Sequence, residues 1–301
     1  MGILFALASA MSWGLSNVYA RKAQLCGNTD HLSGLYVTLA VNNLLNLLVM
    51  LFSLLLAPPP VLNTQGLLFF AAGGLLNSCI GRGLIFLSIS RIGAPKAGVI
   101  KGIAPVFVLM GGVFLLNESL GTADLAGILL AILGVLVVSL DMLYADHAQV
   151  KSTGIQGTSW KGILIGVAAT VFLASGNLCR KAGLTQIPDS ILGVTAGGLS
   201  GFLFMTMFLL VKGRLRAAVQ AVFRMDKNYL LAGVFTGAAL YLLFLSLLTL
   251  PVSVANSFTA SEPLFTLAAS YVILKKHDKI TWRLVLGGLL VIAGAVILIL
   301  L

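Results

Sequence analysis

Charge is what this chain most lacks. Only 9% of its 301 residues are Asp, Glu, Lys or Arg, while 59% are hydrophobic. A soluble domain is about a quarter charged and about half apolar, so a water-soluble fold is excluded. Histidine and cysteine are equally scarce, at three each. His31, His147 and His277 fall in predicted loops and no HExxH occurs, which removes the usual helical zinc site. Cys26, Cys79 and Cys179 are widely separated and odd in number, so neither a disulfide framework nor a zinc spacing is supported. They read as small core residues. No GxxxxGK[ST] phosphate loop is present, which argues against ATP drive within this chain. An intramembrane enzyme would need a convergent nucleophile, base or metal set, and none is visible. No catalytic residue, metal or cofactor is therefore assigned. The N-terminus has no basic n-region, since Arg21 and Lys22 follow the first apolar run, which argues against a cleaved signal peptide.

What the chain does have is long apolar runs. They fall at 3 to 20, 32 to 56, 66 to 90, 94 to 116 and 123 to 140, and again at 162 to 179, 190 to 211, 229 to 249, 252 to 274 and 284 to 301. Each crossing of a hydrocarbon layer about 30 Å thick needs about 20 apolar residues, so ten spans use most of the chain. The predicted fold is all-α, a polytopic membrane protein of ten transmembrane helices. Only Arg91-Ile92-Gly93 separates the third and fourth runs, and only Leu250-Pro251 the eighth and ninth, which predicts two tight antiparallel hairpins.

The sequence repeats. GILIGVAATVFLASGN (162 to 177) lies on GILFALASAMSWGLSN (2 to 17) at a shift of 160, matching Asn177 to Asn17. A shift of 158 superposes 85 to 118 on 243 to 276 and matches Phe86, Ser88 and Pro105 with Phe244, Ser246 and Pro263. Gly127 and Gly134 correspond to Gly287 and Gly294. Residues 1–145 and 161–301 are two five-helix repeats joined by a connecting loop at 146–160, and five spans per half make them inverted.

The formal charge of +10 lies mainly between the apolar runs, which marks topology and not a nucleic-acid surface. Loops 1-2, 3-4, 5-6, 7-8 and 9-10 hold most Lys and Arg, and the opposite face has only Arg180 and Lys181. Taken literally, this multi-pass protein of the cytoplasmic (inner) membrane has both termini extracytoplasmic.

SWGLSN in the first span, the Pro-containing fourth span ending in LLNESL (115 to 120), the Gly-spaced fifth span, and SEPLFTLAASYVIL before a Gly-rich last span resemble the EamA-type transporters of the drug/metabolite transporter (DMT) superfamily. The resemblance covers nearly the whole chain. It implies ten helices, a central substrate cavity between the halves, and export or exchange of small metabolites by alternating access. Two features depart from the pattern: Lys276 stands where an acidic residue is expected at the end of the ninth span, and the family is usually drawn with both termini cytoplasmic.

Ionisable groups deep in a bilayer cost several kcal/mol unless they face a cavity or a partner, so they point to function. Arg82 and Lys101 lie about 10 and 9 residues from the turn near Ile92, roughly 14 Å deep at about 1.5 Å per residue. Glu262 lies about 12 residues from the opposite turn near Leu250, about 18 Å in. Two readings stand: Arg82, Lys101 and Glu262 bind an anionic or zwitterionic solute, with Glu262 holding an amine or carrying a coupling proton, or Glu262 pairs structurally with one of the cations. Asn17, Asn177, Trp13 and Tyr241 are further cavity-lining candidates, against interhelical bonding for the asparagines and packing for the aromatics. Pro105 and Pro263 remove backbone bonds in equivalent helices, marking either a hinge with exposed carbonyls or a plain kink. Asn42, Asn43 and Asn46 are similarly ambiguous. Gly193, Gly197 and Gly201 read as helix packing. The basic 212 to 227 loop, apolar from 217 to 223, lies either on an anionic leaflet or in solvent.

The expected function is secondary active transport of a small polar, amino acid-like, zwitterionic or anionic metabolite, by an exporter or exchanger. The alternatives are a lipophilic or cationic drug exporter, and a channel or non-transport membrane protein. The expected partners are the solute, the lipid bilayer and a coupling proton, with no nucleic acid, in a monomer or homodimer.

Overall fold

The computed structural model describes residues 1–26, 31–56, 62–92, 100–118, 120–122, 125–130, 132–134, 136–137, 140, 160–224, 226–274 and 282–300. Every regular element among them is helical. The first half contains α1 (Gly2–Cys26), α2 (His31–Leu56), α3 (Thr64–Gly73), a π-helical segment (Gly74–Gly81), α4 (Arg82–Ile92) and α5 (Ala104–Leu116). A short apolar helix, Leu125–Gly134, follows. The second half contains α6 (Trp160–Gln186), α7 (Ser190–Val211), α8 (Leu215–Arg224), α9 (Lys227–Thr249), α10 (Val252–Thr259), α11 (Glu262–Leu274) and α12 (Trp282–Leu300).

Among the described residues, six helices are long and apolar enough to cross a membrane: α1, α2, the rod beginning with α3, α6, α7 and α9. The predicted fourth and ninth spans are instead broken. The fourth turns at Gly102-Ile103 and restarts as α5, with Pro105 in its first turn. The ninth turns at Ala260-Ser261 and restarts as α11, with Pro263 at the second position. Proline has no N–H, so the carbonyls of Lys101 and Thr259, four residues before each proline, have no helical donor. Three-residue bonds replace the ladder, with Val106 N donating to Ile103 O and Leu264 N to Ser261 O.

The two halves are interleaved. Helix α1 packs on α9, α10 and α11 of the second half, and α6 packs on α3, the π segment, α4 and α5 of the first. Ser9 and Ser16 stitch α1 to α9 by donating to the carbonyls of Ala239 and Ala232, at 2.7 and 2.9 Å. On the equivalent contact Ser88 donates to the Gly162 carbonyl at 2.9 Å. Buried side chains of Phe70, Leu178, Val194, Phe244 and Leu247 form the largest apolar core at this junction.

Close approach explains the glycine stripe on α7. A Cβ at Gly74 would lie 2.0 Å from the Gly197 carbonyl oxygen, so α7 and the π segment meet backbone to backbone. Helix α8 presents Leu215, Ala218, Val219 and Val222 to Leu35, Tyr36 and Leu39 of α2 and to Met205 and Leu209 of α7. The 212 to 227 loop thus holds an amphipathic helix docked on the protein by its apolar face, with Arg216 and Arg224 exposed.

Two placements differ from the sequence reading. Arg180 and Lys181, assigned to a loop after a span ending at 179, lie inside α6, which continues to Gln186. Arg180 is only 3% exposed. His31 opens α2 instead of lying in a loop, and His147, His277 and Lys276 fall outside the described residues.

Candidate functional site

The two breaks face one another across the halves. Lys101 stands immediately before the first break, and Glu262 opens the helix after the second. The Lys101 Nζ lies 3.0 and 2.9 Å from the two carboxylate oxygens of Glu262. The lysine side chain is 41% exposed and the glutamate 14%, so the pair is open on the lysine side. Asn17 Nδ2, from α1, also donates to Glu262 Oε1. Asn17 is itself exposed. Polar groups inside an apolar helix bundle are tolerated where they find partners, as these do.

Arg82 stands at the end of the π segment, where its backbone N–H returns to the carbonyls of Asn77 and Cys79. Its guanidinium lies 4.3 Å from the centre of the Trp13 ring. The Glu262 carboxylate is within electrostatic reach. Arg82, Lys101, Glu262, Asn17 and Trp13 are therefore one cluster, contributed by α1, α4, the segment before α5, and α11.

A second polar cluster adjoins it. Asn177 on α6 donates to Asn256 Oδ1 on α10, and its own Oδ1 accepts from Asn77 Nδ2 at 3.2 Å and from Arg180 Nη1 at 2.9 Å. Arg180 Nη2 reaches Asn77 Oδ1 at 3.3 Å. Asn77 Nδ2 also donates to the Leu173 carbonyl at 3.0 Å. Asn77, Ser78, Arg180 and Asn256 are all buried. The π segment puts Asn77 and Ser78 toward α6; an extra residue per turn re-aims side chains, and such segments recur at functional sites.

A third group of charges closes the turn between α9 and α10. Lys181 Nζ donates to the carbonyls of Leu247 and Leu250, at 2.6 and 2.7 Å. Glu118 accepts from Val252 N–H and, at 2.8 Å, from the Ser253 hydroxyl. A cation meets the carbonyl end of one helix and a carboxylate the amide end of the next, as the helix dipole favours.

Of the other candidates, Asn177 lies in the second cluster and not beside Glu262. Tyr241 is half-buried and packs against the core around Phe244 and Leu178. Pro105 is buried, and the side chain of Pro263 falls outside the described ones. Asn42, Asn43 and Asn46 are buried, with Asn43 donating to the Leu39 carbonyl on its own helix at 2.8 Å. Sequence reasoning missed Arg180, Asn77, Asn256 and the paired roles of Glu118 and Lys181. The signal for Arg180 was present: only Ile187, Pro188 and Asp189 separate α6 from α7.

A family model described as the EamA-like transporter family matches residues 1–140 and again 160–300. No curated protein sequence matches the chain. One solved crystal structure, described only as that of a protein, is similar over 99% of this chain and 95% of its own, with a TM-score of 0.72 and 13% sequence identity. At that identity the likeness is one of fold.

Proposed function

The chain belongs to the EamA-like transporter family, within the DMT superfamily, and from that premise we propose that it is a secondary transporter of a small polar metabolite, zwitterionic or anionic, working by alternating access. The observation that carries this reading is the Lys101–Glu262 ion pair, which joins the two halves at the point where both broken helices restart. Broken helices with carbonyls that lose a helical donor to proline, and facing charges at the repeat junction, are how inverted-repeat carriers build a midplane site. Ion-pair opening gives each solute end a partner: the ammonium for a carboxylate or phosphate, the carboxylate for an amine or a coupling proton. Two cations, Lys101 and Arg82, beside one carboxylate disfavour a lipophilic cation as substrate.

The same reading takes the broken segments as the fourth and ninth of ten spans, with Pro105 and Pro263 as hinges, in an exporter or exchanger. The charge distribution supports both termini lying outside the cytoplasm. With Arg180 and Lys181 turned inward, the connections 57–63, 117–122, 187–189 and 250–251 carry no Lys or Arg at all.

The test is counterflow in proteoliposomes. Saturable uptake of a labelled solute, stimulated by unlabelled solute inside, is expected and disappears in Glu262→Gln and Lys101→Ala. Unsaturable conductance would indicate a channel, and wild-type flux in both variants would remove the site from this pair.

A further inference from the structure

Arg180 has no place in the ion pair described above, and its surroundings are unusual for a buried cation. Among the described residues its guanidinium bonds only to the neutral amides of Asn77 and Asn177 and, at 3.5 Å, to the Ser78 hydroxyl. Its Nε has no hydrogen-bond partner among the described residues. One face is covered by the Phe244 ring at 5.8 Å, as Trp13 covers Arg82 at 4.3 Å. Each half thus supplies one guanidinium and one aromatic backing. Asn77, whose side chain holds Arg180, accepts the Arg82 backbone N–H at its carbonyl, so the two arginines meet at one segment and their like charges repel.

A guanidinium stays protonated in proteins, so both charges persist. An uncompensated buried charge costs several kcal/mol. The only carboxylate that the sequence places well inside a span, Glu262, is already bonded through both oxygens to Lys101. Lys101, Arg82 and Arg180 against Glu262 leave an excess of two positive charges at the junction. The Glu118 carboxylate offers no relief, since it is held at the α9–α10 turn beside Lys181.

We infer that Arg82 and Arg180 are the two walls of one anion site, and that the transported solute carries a doubly negative head group, a dicarboxylate or a phosphate monoester. The bound dianion supplies the missing counter-charge, with the unpartnered Arg180 Nε and the Arg82 guanidinium as donors in the geometry that suits carboxylate and phosphate. The site deepens the transport reading and rests on it: Asn17, Lys101 and Glu262 hold the remainder of the solute beside the doubly charged end.

Thermal unfolding of the purified protein in detergent at pH 8 tests the assignment, at constant ionic strength, with inorganic phosphate, glycerol phosphate and succinate against acetate and alanine. Saturable stabilisation by the dianions and none by acetate or alanine is expected. In Arg180→Gln and Arg82→Gln the apparent affinity for the dianions falls at least about tenfold, the loss of one charged hydrogen-bond partner. Arg180→Lys, which keeps the charge, retains part of the affinity. The charge series in the wild type decides the matter even if a variant does not fold. Equal stabilisation by acetate or alanine, absence of dianion binding, or unchanged affinity in both Gln variants would overturn the proposal. Counterflow separates the two layers: if alanine exchanges saturably while no dianion binds or moves, transport stands and the dianion site falls. If the liposomes exchange none of these solutes, transport of this class falls as well. Preference between glycerol phosphate and succinate identifies which dianion the site takes.

Discussion

Lys181 and Glu118 hold opposite sides of one turn: the ammonium takes the last carbonyls of α9, and the carboxylate takes the first amides of α10. Neither residue belongs to the turn. Glu118 comes from the first half and Lys181 from α6, so the α9–α10 turn is fastened to both halves through charge.

Removing either fastener should loosen that turn. Glu118→Gln and Lys181→Met are each expected to lower stability by about 1–2 kcal/mol, the usual worth of a helix cap. The two ends share one turn, so the double variant should lose less than the sum. Unfolding midpoints of the four proteins in detergent give the coupling directly.

The ion pair behaves differently. Lys101→Met or Glu262→Gln leaves one charge without its partner, whereas the double variant leaves neither. The lysine side chain is 41% exposed, so the expected stability cost of either single change is modest. Expression and monodispersity should survive in all three variants while counterflow is lost in all three. Recovery of flux in the double variant would make the pair a structural tie only.

The contact between α7 and the π segment predicts a sharp contrast between two glycines. Gly74→Ala pushes a methyl into the Gly197 carbonyl and should abolish the folded state, because backbone cannot move aside as a side chain can. Gly83→Ala meets nothing within 4 Å and should stabilise α4 by up to about 1 kcal/mol. Fluorescence-detected size exclusion on membrane extracts distinguishes them.

Orientation is tested with single cysteines in a background lacking the natural three. Asp189→Cys, in the short α6–α7 turn, should react with a membrane-impermeant maleimide in intact cells. Gly213→Cys, in the basic turn before α8, should react only after permeabilisation. The reverse pattern would put both termini in the cytoplasm.

Much of the site was legible because depth in a bilayer can be counted from a turn. Arg82, Lys101 and Glu262 stood out as charges far from any span end, and the structure brings them together. Arg180 did not stand out, because a charge near an apolar run's end reads as the boundary of that run. Here the boundary lies six residues on at Gln186, since Asn77, Asn177 and Ser78 make a polar seat for the guanidinium inside the bundle. The π segment was illegible for another reason: GLLNSCIG has the hydropathy of any span, and its register depends on how closely α6 and α7 approach. The repeat exposed equivalent prolines, yet not that each follows a two-residue turn, because proline is compatible with both a kink and a restart.

The interleaving of the halves has a consequence for biogenesis. Helix α1 emerges about two hundred residues before the surfaces it packs on, α9 to α11. The N-terminal helix must be held in the membrane, with Ser9 and Ser16 unmatched, through most of translation. Neither repeat can mature as an independent unit, and contacts this distant in sequence make slow folding the expectation. A chain halted between the repeats would therefore be incomplete at both ends and a ready target for membrane quality control.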